Sequence, residues 1–292
     1  MTNRITIVGC GDIGQRVAKA CLSRGDAVTG WVRSDASVMA LRERRIPALK
    51  VDLDQPVLEL PSTVGDLLYY FAPPSAEGRQ DTRVARLIQQ LDQAGQPRRV
   101  VYLSTTGVYG DCAGEWVDES RPPAPVAERA YRRLDAENRW RAWSRQSGGE
   151  LVILRVAGIY GPGKLPRARL ESGRPMVAEA ESPITNHIHT FDLVEICLAA
   201  MARGTPGEVY NVCDGHPDSM TGYFYAVADF LGLPRPPVIS LQEAQRQLTP
   251  GMLSYLGESR RLSNRKLIEE LGVTLRYPTL AEGLPASIGE RD

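Results

Sequence analysis

Near its start the chain reads Gly9-Cys10-Gly11-Asp12-Ile13-Gly14, with glycines spaced as a backbone needs them to hold a diphosphate. The apolar run Ile5-Thr6-Ile7-Val8 precedes it, and Gln15 to Leu22 follows with helical periodicity. In such a strand, turn and helix, Gly9 permits the tight turn, Gly11 lets a pyrophosphate come close, and Gly14 lets the helix pack on the strand. The helix start adds unpaired N–H groups and a positive dipole end, with Asp12 and Ile13 as the remaining loop contacts. The chemistry implied is dinucleotide binding. Which dinucleotide depends on the end of the second strand, where NAD sites usually carry an acid for the ribose hydroxyls. Here Val32-Arg33-Ser34 stands there, with Asp26 too early and Asp35 too late. Arg33 can pair with a 2′-phosphate and Ser34 can add a hydroxyl, so NADP(H) is expected, with NAD as the alternative.

Other constellations are weaker. Gly158 to Leu165 nearly matches a phosphate-binding P-loop, but Leu165 stands where a magnesium-holding Ser or Thr belongs and Pro162 lacks a donor. Lys164 beside it can still meet an anion. His187-x-His189 with Asp192 lacks a further ligand cluster, so no metal is expected. No Gly-x-Ser-x-Gly elbow makes Ser104 a nucleophile. Cys10 in the glycine loop reads as a small tolerated residue rather than an acidified thiol.

The elements that must position these residues alternate through the first half. Strands fit 27–32, 49–51, 66–71, 99–103 and 151–155; helices fit 13–24, 37–45, 81–94 and 128–144. Branched apolar strands separated by helices imply an α/β fold, a doubly wound parallel sheet of Rossmann type. Phe71, Ala72 and Pro73 close the fourth strand and are candidate cofactor contacts. Beyond Gly158 proline and glycine become frequent. One more strand fits 208–212, and helices fit 191–202, 223–231, 241–247 and 264–271. The expected organisation is a dinucleotide-binding domain over 1–160 and a smaller C-terminal substrate lobe over 161–292, with 186–213 returning to the sheet. The arginines from Arg129 to Arg145 read as a solvated helix face, and Trp116, Trp140 and Trp143 as packing or interface residues.

Lys plus Arg equals Asp plus Glu at 35 each in 292 residues, so the chain is neutral and is not expected to bind nucleic acid or a membrane surface. No apolar run spans a bilayer. Five scattered cysteines without a Cys-x-x-Cys read as free thiols in a reducing compartment, and a cytoplasmic location is expected. A small-molecule substrate and a homodimer are the expected partners.

With these pieces placed, the chain resembles the extended short-chain dehydrogenase/reductases, the NAD-dependent epimerase/dehydratase family. Beyond the glycine loop the likeness rests on Val51-Asp52-Leu53, Leu103 to Gly110, Leu154 to Gly163, Ile188 to Leu193, and Tyr210-Asn211-Val212 with Leu262 to Leu267. The resemblance implies that Asp52 and Leu53 contact the adenine. It implies that Thr105 hydrogen-bonds a substrate oxygen, while a Tyr, with a Lys one turn later on the same helix, handles the proton and the nicotinamide ribose.

That Tyr-x-x-x-Lys pair is missing. Aligning Arg133-Leu134-Asp135-Ala136-Glu137 on the family's Lys-x-x-Ala-Glu puts Arg133 at the lysine and Arg129 at the tyrosine. Arg133 can still hold ribose hydroxyls; Arg129 cannot exchange a proton near neutral pH, its pKa lying above about 12. Tyr131 is the candidate stand-in, yet it projects roughly 200° around the helix from Arg129 and needs a shifted or kinked helix to face the site. Tyr109 and Tyr160 are lesser candidates. The expected function is an oxidoreductase or epimerase acting on a hydroxyl or carbonyl carbon of a small or sugar-derived substrate; a cofactor-binding sensor or scaffold without the chemistry is the other reading.

Overall fold

A computed structural model describes residues 2–55 and 60–288. Seven parallel strands form its sheet: β1 (Arg4–Val8), β2 (Ala27–Val32), β3 (Ala48–Lys50), β4 (Leu67–Tyr70), β5 (Arg99–Thr105), β6 (Glu150–Val156) and β7 (Val209–Val212), in spatial order β7-β6-β5-β4-β1-β2-β3. The order reverses beside β1, which pairs with β2 on one side and β4 on the other, and ligands of such sheets bind at that crevice.

Both faces of the sheet are covered, as the unbroken apolar character of the strands requires. Successive strand residues point to opposite faces. Tyr69, Val101, Val152 and Leu154 therefore pack against α1 (Asp12–Ser23), α2 (Asp35–Glu43) and a later helix, Thr190–Arg203. Leu68, Tyr70, Val100, Tyr102 and Ile153 pack against α3 (Thr82–Ala94) and α4 (Glu128–Ser147). The expected doubly wound fold is present.

Several details differ from the sequence expectation. The third strand is Ala48–Lys50, because its register against Gly30–Val32 stops there. The long helix α4 runs on to Ser147, where Gly148 ends it in the left-handed conformation. The helix expected from Tyr223 starts at Met220, since Ser219 caps it by accepting the Gly222 N–H. Two further helices, Pro250–Leu256 and Leu280–Ala286, follow from Thr caps. The arginines of α4 are not a solvated face: Arg132 is buried and donates to Gly78 O at 2.6 Å, and Arg141 pairs with buried Glu137 at 3.2 Å. Trp140 and Trp143 are core residues, while Trp116 is exposed. Among the described residues no helix is long and apolar enough to cross a membrane.

Candidate functional site

The glycine loop leaves β1 and enters α1 at the order reversal. Gly9 has φ +81°, and a Cβ there would lie 2.3 Å from the Ala72 N, so only glycine fits. A Cβ on Gly14 would press on Ile7 Cγ2 at 3.1 Å, which is the helix–strand contact expected of the third glycine. Gly11 is different: a Cβ there would meet only Gly9 O, at 4.0 Å. Its outer face is open, and α1 behind it has no side-chain cap. The turn is tight where it packs and open where a diphosphate must approach, so its geometry fits a dinucleotide.

Asp12 sits at the helix entrance. Its carboxylate meets Arg16 Nε at 3.0 Å and Lys164 Nζ at 2.9 Å. Burial raises its pKa, but Lys164 and Arg16 outweigh burial and hold the carboxyl below its usual range. Lys164 thus carries the post-β6 loop onto the glycine loop. Ile13 is a core residue of α1 rather than a surface contact. Cys10 is buried, and burial pushes its thiol up to about 12, so it is an inert packing residue.

Next to the loop, a pocket of about 200 Å³ brings together Gly9, Arg33, Asp52, Leu53, Ala72 and Pro73. Arg33 is exposed at its rim, within electrostatic reach of Asp54. Arg83, also lining it, is held by Asp54 at 2.5 Å and by the Pro73 carbonyl at 3.0 Å. Two expected contacts are placed elsewhere. Ser34 caps α2, accepting from Ser37 N at 3.2 Å, and does not line the pocket. The Phe71 ring is buried against Tyr69, at 5.3 Å between centroids.

A second, larger cavity of about 550 Å³ lies beyond the strand ends. Thr105 and Arg133 both line it. The Thr105 hydroxyl accepts from Gly107 N at 3.2 Å, which leaves its own proton available to another oxygen. Arg133 is anchored by Nη1 to Leu103 O at 3.0 Å. Tyr131 does not line the cavity. The helix is uninterrupted, so the register shift that would turn Tyr131 inward does not occur, and Arg79 stacks over its ring at 4.5 Å. Tyr109 is spent on Asn211 at 2.8 Å, and Tyr160 is buried against Thr279 O at 3.3 Å.

Beside Arg129 and His187, which the sequence did single out, the cavity holds residues it did not: Asn186, Tyr223, Tyr255, Glu258 and Arg260. His187 stacks on Tyr223 at 4.0 Å between centroids, and burial brings its pKa down to about 4, so the ring is neutral. Arg129 lies over Tyr255 at 3.9 Å, donates to Ser254 Oγ at 2.6 Å and reaches Glu258 Oε1 at 3.6 Å. Arg260 donates from Nη1 to Gly110 O at 2.6 Å and to Glu258 Oε2 at 3.1 Å. Arg129 and the 254–260 segment are 125 or more positions apart, and the charged run Glu258-Ser259-Arg260-Arg261 is the one sequence signal for it. Among the described residues no three His, Cys, Asp or Glu are grouped as a metal would need.

The model of the NAD dependent epimerase/dehydratase family matches residues 5–213. Protein YeeZ of Escherichia coli K12 is 26% identical over 283 residues, covering 94% of this chain and 96% of that protein. A solved structure of a functionally unknown conserved protein from Silicibacter pomeroyi DSS is 35% identical, covers 98% of each chain and superposes with a TM-score of 0.85. The UDP-glucose 4-epimerase of Thermus thermophilus, solved as a complex with NAD, shares the fold at 22% identity and TM-score 0.76, with 97% of each chain covered.

Proposed function

The chain belongs to the NAD-dependent epimerase/dehydratase family, and from that premise we propose that it binds NADP(H) and acts as an oxidoreductase on a hydroxyl or carbonyl carbon of a small substrate. The observation that carries this reading is a pair of neighbouring spaces, the glycine loop and Arg33 pocket lined by Pro73 and the Thr105–Arg133 cavity lined by Pro74. A bound nicotinamide would supply hydride exchange at the carbon. Gly9, Gly11 and Gly14 would shape the diphosphate seat, with Asp12 and Ile13 at its helix. Asp52, Leu53, Ala72 and Pro73 would wall the adenine side, and Arg33 would meet the 2′-phosphate. Thr105 would donate a hydrogen bond to the substrate oxygen, and Arg133 would hold ribose hydroxyls. Water or His187 takes the proton-exchange role for which Tyr131 is turned away.

Calorimetric titration with NADP+ and NAD+ tests the cofactor half; equal affinities remove the NADP(H) assignment. A search of alcohols and carbonyl compounds for a change in nicotinamide absorbance, with Thr105→Ala beside the native chain, tests the rest. Turnover that survives Thr105→Ala unchanged removes Thr105 from the chemistry.

A further inference from the structure

The charges around the large cavity do not balance. Arg129, Arg133, Arg260 and Glu258 border it. Arg133 is answered by Leu103 O and by nearby Asp81. That leaves two guanidiniums facing one carboxylate. Glu258 Oε1 and Arg260 Nε are buried without a hydrogen-bond partner among the described residues, so the Arg129–Glu258–Arg260 cluster is incompletely satisfied. Arg260 is nearly buried while Arg129 is 34% exposed, so the positive excess faces the cavity, where an anion could join it. A guanidinium is planar and presents paired donors matched to a carboxylate. The Tyr255 ring beneath Arg129 and the bonds from Arg260 to Gly110 O and Glu258 hold both groups in place beforehand. One part of the wall is apolar or aromatic, with Ile184, Met220, Tyr223, Phe224 and Met252, and Thr105, Thr185, Asn186 and His187 are polar members of the rest.

We propose that this cavity takes a small hydroxy or oxo carboxylic acid with an apolar substituent, its carboxylate docked at Arg129 and Arg260. The apolar part lies against Tyr223, Phe224 and Met220, and the hydroxyl or carbonyl carbon faces Thr105. Neutral His187 offers that oxygen one ring nitrogen, as a donor or an acceptor according to its tautomer, without adding charge. This deepens the oxidoreductase reading and rests on it for the reaction, but not for the binding.

The probes are mandelate, its uncharged analogue mandelamide, and inorganic phosphate, titrated calorimetrically into the full chain with and without NADP+. Mandelate is expected to bind about tenfold or more tighter than mandelamide, and tighter than phosphate. Arg129→Met should shrink the mandelate preference to about threefold or less, while Arg129→Lys, which keeps the charge, retains most of it. NADP+ affinity should stay within about twofold in both variants. Equal binding of mandelate and mandelamide, binding of neither, or phosphate binding more tightly than mandelate overturns the proposal. If mandelate is preferred but neither nicotinamide cofactor binds, the oxidoreductase reading fails and the acid site stands. If NADP+ binds without that preference, only the acid site fails.

Discussion

Glu137 and Arg155 meet as a closed pair inside the protein. Arg155 Nε donates to Glu137 Oε1 at 3.1 Å and Nη2 donates to Oε2 at 2.8 Å, with the two side chains 0% and 3% exposed. Ser104 Oγ also donates to Oε1, at 2.7 Å. The pair ties α4 to β5 and β6. Ser104 adjoins Thr105, and Glu137 lies one helical turn after Arg133, so the network fixes the frame on which both cavity residues stand.

Removing one partner of such a pair strands the other as a buried charge. Glu137→Ala is therefore expected to lower stability by about 3–5 kcal/mol, and Glu137→Gln by less because it keeps the side-chain volume and one acceptor oxygen. Urea unfolding measures both. A loss below about 1 kcal/mol for Glu137→Ala would show that the pair contributes little to the native state.

The glycine loop separates folding from binding. Gly9→Ala drives a methyl into the Ala72 backbone at positive φ and should destabilise the fold by several kcal/mol. Gly11→Ala has open space and should leave the melting temperature nearly unchanged, while weakening dinucleotide binding about tenfold or more. Thermal melts with cofactor titrations read the contrast. Normal cofactor affinity in a folded Gly11→Ala protein would remove Gly11 from the diphosphate seat.

Arg33 carries the expected preference between the two cofactors. Arg33→Ala should weaken NADP+ binding about tenfold or more and change NAD+ binding by less than about threefold. Parallel calorimetric titrations decide it, and an equal effect on both cofactors would assign Arg33 to the shared adenosine part.

Acid should destabilise the protein through its histidines. Burial holds His187 and His189 near pKa 4, against an ordinary 6.5, with Arg16 and Arg276 adding to the effect at His189. Above pH 6.5 both states carry neutral rings. Below it the unfolded chain takes up protons the folded chain refuses, so stability falls as pH drops toward 4. Asp214 acts oppositely: burial raises it to about 7 from 3.8, so the folded chain keeps a proton that the unfolded chain has released in that window. Asp81, Glu119 and Asp192, also raised by burial, act as Asp214 does, so the histidine contribution is read from a His187 variant rather than from the overall slope. His187→Phe is expected to remove roughly 1–2 kcal/mol of the loss between about pH 7 and pH 5. Denaturant melts across that range check the slope, and an unchanged slope would refute the neutral His187.

The cofactor side was legible before any coordinates because its determinants are local. Strand, glycine turn and helix lie within about twenty residues; Gly9 and Gly14 are held to glycine by close packing, while Gly11 leaves an open face. The parallel sheet was legible for the same reason, its apolar runs alternating with helices. Short-range reading failed where a side chain's fate depended on a distant partner. Ser34 was available on paper and is spent capping α2; the arginines of α4 looked solvated until Glu137, Gly78 O and Leu103 O were seen to take them up.

By itself, the sequence determined the sheet and the glycine turn, and set Arg129 and Arg133 one helical turn apart. Only the tertiary structure decided what surrounds them. Glu258 reaches Arg129 across about 130 positions of chain and is itself paired with Arg260, and no local periodicity records such a contact. Charge balance in a cavity is a sum over elements folded together, so the excess positive charge of this one became visible only when those elements met.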